Sequence, residues 1–228
     1  MKYKTDFLFS KITLLFALVL LLGSCEKYEF ETDTFTDSRD GNVYKTVKIG
    51  NQVWMAENLR YLPNVYGRYA IAVSSARNYV YGYEGTNVDD AKATENYKTY
   101  GVLYNWMGAK AACPPGWHLP TAEEWAELTA YLGGDTGAGG ILKEKGTQHW
   151  NSPNTGATNK VDFAALPGGM LSETTFSFAY LGATGFWWTA SDDSDFHYYY
   201  IYIHDNDKAL IRGYVNKSRV FSVRCVKD

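Results

Sequence analysis

Only three cysteines occur in the 228 residues, at positions 25, 113 and 225, and the segment before the first decides what the other two can do. Lys2, Lys4 and Lys11 give a positive start, with Asp6 as an exception, and Ile12 to Leu22 form an apolar run. A membrane-spanning helix needs about 20 such residues. This shorter run has the dimensions of the h-region of a signal peptide, and the small residues Gly23 and Ser24 close it. Residues 1–24 are therefore expected to be removed on export. In an oxidising compartment the default for Cys113 and Cys225 is a disulfide. Closing a loop of that length stabilises a fold by roughly 4–5 kcal/mol in the chain-entropy treatment. A metal site is the alternative, although neither cysteine has a CxxC partner or a nearby histidine.

Leu22-Gly23-Ser24-Cys25 resembles a bacterial lipobox. The resemblance implies a lipoprotein acylated on Cys25 with palmitate-type chains. It would sit in the cell envelope at the outer membrane and face the surface or the periplasm. The alternative is an ordinary signal peptide followed by an incidental cysteine. Two acyl chains suffice for stable anchoring, because each buried CH₂ contributes about 0.8 kcal/mol. Residues 25–36 are acidic and lack Gly and Pro, and they read as a tether between lipid and domain. Their acidic start loosely resembles the surface-export signals of some Bacteroidetes lipoproteins. Removing residues 1–24 takes away three lysines and one aspartate, so the formal charge of −3 becomes −5. With no basic run, a nucleic-acid partner is not expected.

The domain is expected to span residues 37–228. Val43, Val47 and Ile49 alternate with Tyr44, Thr46 and Lys48, the pattern of a half-buried strand. Gly50-Asn51 is a two-residue hairpin signal, and Gln52 to Met55 returns. Residues 64–99 read as a long irregular insertion. A helical face begins near Val102 with Leu103, Trp106, Met107 and Lys110-Ala111, and stops before Cys113-Pro114-Pro115-Gly116. In a second helix Thr121 is the N-cap and Glu124 completes a capping box. Trp125, Leu128 and Leu132 form its buried stripe, and Gly133-Gly134 ends it. Residues 141–185 read as loop. The remainder is β: Phe186 to Thr189, Tyr198 to His204, Ala209 to Val215, and a last strand from Arg219 to Val226 that carries Cys225.

Several long stretches resemble the Fibrobacter succinogenes major paralogous domain. They are Asp37 to Tyr44, Ile49 to Leu59, Tyr100 to Tyr104, Cys113 to Thr121 and Phe221 to Val226. The resemblance covers nearly all of the mature chain and implies surface proteins and lipoproteins rather than a defined activity. More distantly, two helices, a cysteine between them, long loops and a closing β-sheet with a second cysteine are similar to the C-type lectin-like fold. There one disulfide joins the first helix region to the last strand. An α+β class with antiparallel sheets and long irregular loops is the fold this implies. Leu119 to Trp125 also resembles a helix start in formylglycine-generating enzymes, a branch of the same fold.

No constellation in the sequence carries evident catalysis, so a non-enzymatic protein without cofactor is expected. Formylglycine-generating chemistry needs a reactive cysteine pair, and both mature cysteines are better used in a disulfide. The Glu-Pro-Asn, Gln-Pro-Asp and Trp-Asn-Asp signatures of calcium-dependent lectins are absent. His118 is expected to be structural, and His149, His197 and His204 lack metal-ligand spacing. Asp192, Asp193 and Asp195 read as a solvated acidic turn, since they lack the spacing and Gly of an EF-hand loop.

The candidate binding face is on the strand at 198–204. Tyr198, Tyr200, Tyr202 and His204 share one side, with Ile201 and Ile203 opposite and Asp192, Asp193 and Asn206 in flanking loops. Tyrosine offers large, rigid contact area at low entropy cost. The competing reading is a sheet face covered by residues 141–185. A glycan or protein ligand is the expected partner, besides the membrane. A structural or adhesive envelope protein is the alternative.

Overall fold

Thr32–Thr36 form β1, antiparallel to β2 (Val43–Ile49), in the computed structural model, which describes residues 31–194 and 197–228. The expected signal peptide and Cys25 lie outside these residues. The expected tether 25–36 is therefore partly strand. Alternating Thr, Phe and Thr suit an extended backbone, and Phe35 packs on Trp117 at 5.1 Å between ring centroids. β2 turns through Gly50-Asn51 into β3 (Gln52–Met55), with Ile49 opposite Gln52 as the hairpin signal requires. Gly50 takes φ +62, which a two-residue turn of this kind needs. Simple alternation fails in β2, because Tyr44 and Thr46 are buried as well as Val47 and Ile49, and Val43 is exposed. The strand is covered on both faces, so inside and outside no longer follow its period.

The stretch 64–99 is more regular than its sequence suggests. It holds β4 (Asn78–Tyr79), α1 (Val88–Ala93) and α2 (Glu95–Tyr100). Asn87 caps α1 by accepting from Asp89 and Asp90 N–H, and Thr94 caps α2 by accepting from Tyr97 N–H. Helices of under two turns leave no readable period. The expected helix at Val102 begins later: Leu103–Asn105 are β5, and α3 (Trp106–Lys110) starts where the Asn105 side chain accepts from Gly108 N–H. After β6 (Trp117–His118) comes α4 (Ala122–Tyr131) with the expected reciprocal capping box of Thr121 and Glu124. Trp125 and Leu128 are buried as expected, and Gly133 ends the segment at φ +93. α5 (Asp135–Leu142) follows.

The expected loop 141–185 contains a hairpin, β7 (Gly168–Ser172) and β8 (Ser177–Leu181). Gly169 permits it: at φ +64, a Cβ would lie 2.4 Å from the Ala179 carbonyl oxygen. β9 (Thr184–Ser194), β10 (His197–His204) and β11 (Ile211–Val215) form a meander. The expected last strand is two, β12 (Val220–Ser222) and β13 (Val226–Lys227), which lie in different sheets. Between them Leu59 N–H bonds Val223 O and Met55 N–H bonds Cys225 O, so the chain crosses without losing its hydrogen bonds.

One sheet runs β1-β2-β3-β13-β6, and the other β11-β10-β9-β12-β5-β4, with β7 on β12 and β8 on β7. The class is α+β. Period two in β9 sends Phe186 and Trp188 to one core, with Tyr44, Met55, Tyr104 and Phe221. Trp187 enters the other, with Trp54, Trp125, Phe163, Ile201 and Ile203.

Candidate functional site

β10 carries the predicted tyrosine face, and its register on β9 and β11 decides what is open. Ile201 and Ile203 are fully buried on the far side, as predicted. Tyr198 departs from the expectation. It is 6% exposed and packs on Trp106 with ring centroids 4.2 Å apart, so it belongs to the core rather than to an open face. The reason lies beneath it, where α3 runs under this end of the strand.

Tyr200 and Tyr202 are half-buried. Their rings stack at 5.6 Å and 27°. Phe186 stacks on Tyr202 at 6.0 Å, and Tyr180, 52% exposed, meets Phe186 edge-on at 5.9 Å. The result is a row of rings whose inner edges join the core through Phe221, 4.9 Å from Tyr200. Residues 141–185 therefore border the face through Tyr180 without covering it. Gly213 opposite Tyr200 is needed for space, since a Cβ there would lie 2.5 Å from the tyrosine ring. Burial raises the Tyr200 pKa, with Tyr202 adding to it and Arg219 opposing.

At the row's end His204 Nδ1 meets the Thr184 hydroxyl at 2.8 Å, and its ring lies edge-on to Tyr202 at 5.2 Å. Asn206 is exposed in the turn, and Asp192 is exposed on β9, with Tyr198 as its β10 partner. Asp193 is also in β9, and its side chain lies outside the described set. The structure thus gathers Tyr200, Tyr202 and His204, leaves Asp192 and Asn206 at the margins, and removes Tyr198.

Lys143 shapes this site and carries no sequence signal. Although fully buried, it donates from Nζ to the carbonyls of His204 (2.9 Å) and Asp207 (2.8 Å), and it lies 5.2 Å from the Trp150 ring. Burial pulls its pKa down to about 8 against the pull of Asp205 and Asp207. It pins the turn that holds Asn206. In the sequence it is one lysine after a glycine-rich helix.

The motifs that carried the family resemblance are spent on assembly. Asp37, fully buried, pairs with Arg39 at 2.7 Å, and Arg39 Nη2 donates to Ala112 O at 2.8 Å. Asn58 Oδ1 accepts from Trp187 Nε1 at 2.9 Å, and its amide donates to Tyr100 O at 3.0 Å. Gly101 takes φ +75 where a Cβ would lie 2.7 Å from Leu59 O. Cys113 and Cys225 are joined by a disulfide, with Cα atoms 5.9 Å apart. The family model described as Fibrobacter succinogenes major domain matches residues 47–227.

This chain belongs to the Fibrobacter succinogenes major domain family. No curated protein and no solved structure matches it. Within this Fibrobacter succinogenes major domain, no group of three or more His, Cys, Asp or Glu stands close enough to hold a metal among the described residues. No described helix is long and apolar enough to cross a membrane.

His118 in the domain's Trp117-His118 motif ties three elements together. Its Nδ1 meets Asp228 at 2.7 Å, and its Nε2 meets Glu124 of the capping box at 2.8 Å. Burial lowers its pKa, but the hydrogen bonds and charges of Asp228 and Glu124 outweigh that and raise it above the ordinary histidine value. A raised folded-state pKa stabilises fully below the unfolded value near 6.5, and the effect is lost as pH rises through the folded one. The stability difference between wild type and His118→Gln should therefore shrink as pH rises from about 5 to about 9. With the side chain 40% exposed, the pH-dependent part is worth about 0.2–1 kcal/mol. Urea midpoints across that range check it, and a constant difference would contradict the pairing.

Proposed function

We propose that this protein is an exported lipoprotein, anchored through Cys25, whose C-type lectin-like domain presents a non-catalytic binding module for a glycan or protein ligand. The observation that carries the reading is the row of Tyr180, Phe186, Tyr202 and Tyr200. Tyr180, Tyr202 and Tyr200 are partly solvent-facing, and the buried Phe186 between them ties the row to the core, so their contact area costs little entropy on binding. Arg219 stands beside the row, held by Glu173 at 3.0 Å, and supplies a charged donor at its margin. The family motifs fit the same reading, since Asp37, Asn58, Thr121, Cys113 and Cys225 serve packing, capping and cross-linking.

A glycan array with the mature chain distinguishes a sugar from a protein ligand. Tyr202→Ala and Tyr180→Ala should each weaken the selected ligand by about 1–3 kcal/mol. Both should fold, because Ile201 and Ile203 anchor β10 from the other side and Tyr180 on β8 is 52% exposed. Tyr200→Ala is the poorer probe, since its ring also covers Gly213. Unchanged affinity in both variants would end the proposal for this face and leave the structural or adhesive envelope role.

The anchor has its own test. Cys25→Ala should move the protein from the detergent phase to the aqueous phase after expression in a bacterial host, because acyl transfer needs that thiol. Equal partition of variant and wild type would refute lipidation.

A further inference from the structure

Away from the tyrosine row the domain carries an open cleft of about 500 Å³, a size typical of small-molecule sites, floored by the buried Thr46 and Ala56 and rimmed by exposed polar side chains. Asp33, Thr34 and Lys45 of β1 and β2 form one wall, and Asn159, Asp162 and Ala164 form the other. Ala56 and Ala164 also line a neighbouring cavity of about 270 Å³, so the two chambers adjoin at two small side chains. The lining of the larger chamber contains no aromatic ring.

Its polar groups are largely unspent. Neither the Lys45 ammonium nor the Asp162 carboxylate has an ion-pair or hydrogen-bond partner among the described residues, and Asp33 accepts only from Thr34 N–H at 2.7 Å. The wall carrying Asp162 is also strained. Asn159, Asp162 and Ala164 all have left-handed backbones, at φ 48, 53 and 49. For alanine this costs about 1–2 kcal/mol, and less for Asn and Asp. The strain persists because the loop is clamped from inside. Asn159 Oδ1 accepts from Ala164 N–H at 2.7 Å, Lys160 N–H bonds Ile141 O, and the buried Arg224 donates to Phe163 O and Ala164 O. Strain held this firmly at a cavity wall marks a preorganised surface rather than a passive cover.

We propose that this cavity is a second binding site, independent of the tyrosine row, for a small neutral hydroxyl-rich sugar. Two unpaired carboxylates against one ammonium disfavour phosphate or sulfate. The ring-free polar lining suits a ligand held by hydrogen bonds rather than by apolar contact. Carboxylates accept from vicinal hydroxyls, while Lys45 and the Asn159 amide donate to ring and hydroxyl oxygens.

The test is an amide chemical-shift titration of the ¹⁵N-labelled mature chain with glucose, galactose and N-acetylglucosamine, each to millimolar concentration, with glucuronate as the anionic control. At least one neutral sugar should shift residues 32–34, 45–46 and 159–164, and glucuronate should not. Asp162→Asn keeps a residue that tolerates the left-handed backbone, and Lys45→Gln alters an exposed side chain, so both should fold. Each should weaken that sugar by about tenfold or more, as loss of a charged hydrogen bond does, while Tyr202→Ala leaves its affinity unchanged. The proposal falls if no neutral sugar shifts these amides, or if both cavity variants bind like wild type. Loss with Tyr202→Ala but not with Lys45→Gln would place the sugar on the tyrosine row, overturning the cavity site and sparing the module.

Discussion

Replacing Cys113 and Cys225 together by alanine should lower the unfolding free energy by about 4–5 kcal/mol, as the chain-entropy treatment gives for a loop of about 100 residues. The bond joins residues 112 apart, and both ends are packed: Cys225 is fully buried and Cys113 lies against the same core. It fastens the turn after α3 to the point where the chain passes from β12 in one sheet to β13 in the other. Arg39 strengthens the same corner by donating to Ala112 O and Cys113 O. Opening the bond therefore releases the seam between the two sheets. Urea unfolding of the double variant measures the loss, and non-reducing peptide mapping of the wild type should recover one linked pair. A loss below about 1 kcal/mol would show that the denatured chain is compact enough to gain little entropy when the link is cut.

Arg224→Ala should cost about 3–5 kcal/mol, the range for removing a large buried side chain and leaving its acceptors without donors. The guanidinium is fully buried, with no salt bridge to a carboxylate among the described residues. It donates to Phe163 O, to Ala164 O at 3.1 Å and to Asn58 Oδ1 at 3.3 Å, and it lies 4.1 Å over the Phe163 ring. Burial lowers its pKa while Glu57 opposes, yet arginine keeps its charge at neutral pH. The variant should also raise amide exchange across 159–166, because the strained wall loses its clamp. Arg224→Lys should restore little, since one ammonium cannot span three acceptors in the plane of the fork. Near-native stability of Arg224→Ala would mean that the backbone holds the loop unaided.

The two predictions divide along the line between what is local and what is not. Thr121 and Glu124 announced the start of α4 because a capping box is closed within four residues, and Gly50-Asn51 announced its hairpin for the same reason. The cysteine pair was legible by inventory, since setting Cys25 aside for the expected lipobox leaves two cysteines and one intramolecular bond to form. The β face of 198–204 was legible as a period, and Ile201 and Ile203 obeyed it. That period could not say that α3 would slide Trp106 beneath Tyr198 while leaving Tyr200 and Tyr202 half open. Nor could it show that residues 32–36 would anneal to β2, or that the last strand would divide between two sheets, because strand partners are chosen by contacts far away in sequence. Lys143 and Arg224 carry no local sequence signal that sets them apart from other cations of the chain. Only the tertiary structure surrounds them with backbone carbonyls, and burial among such acceptors depends on loops more than 50 residues distant along the chain.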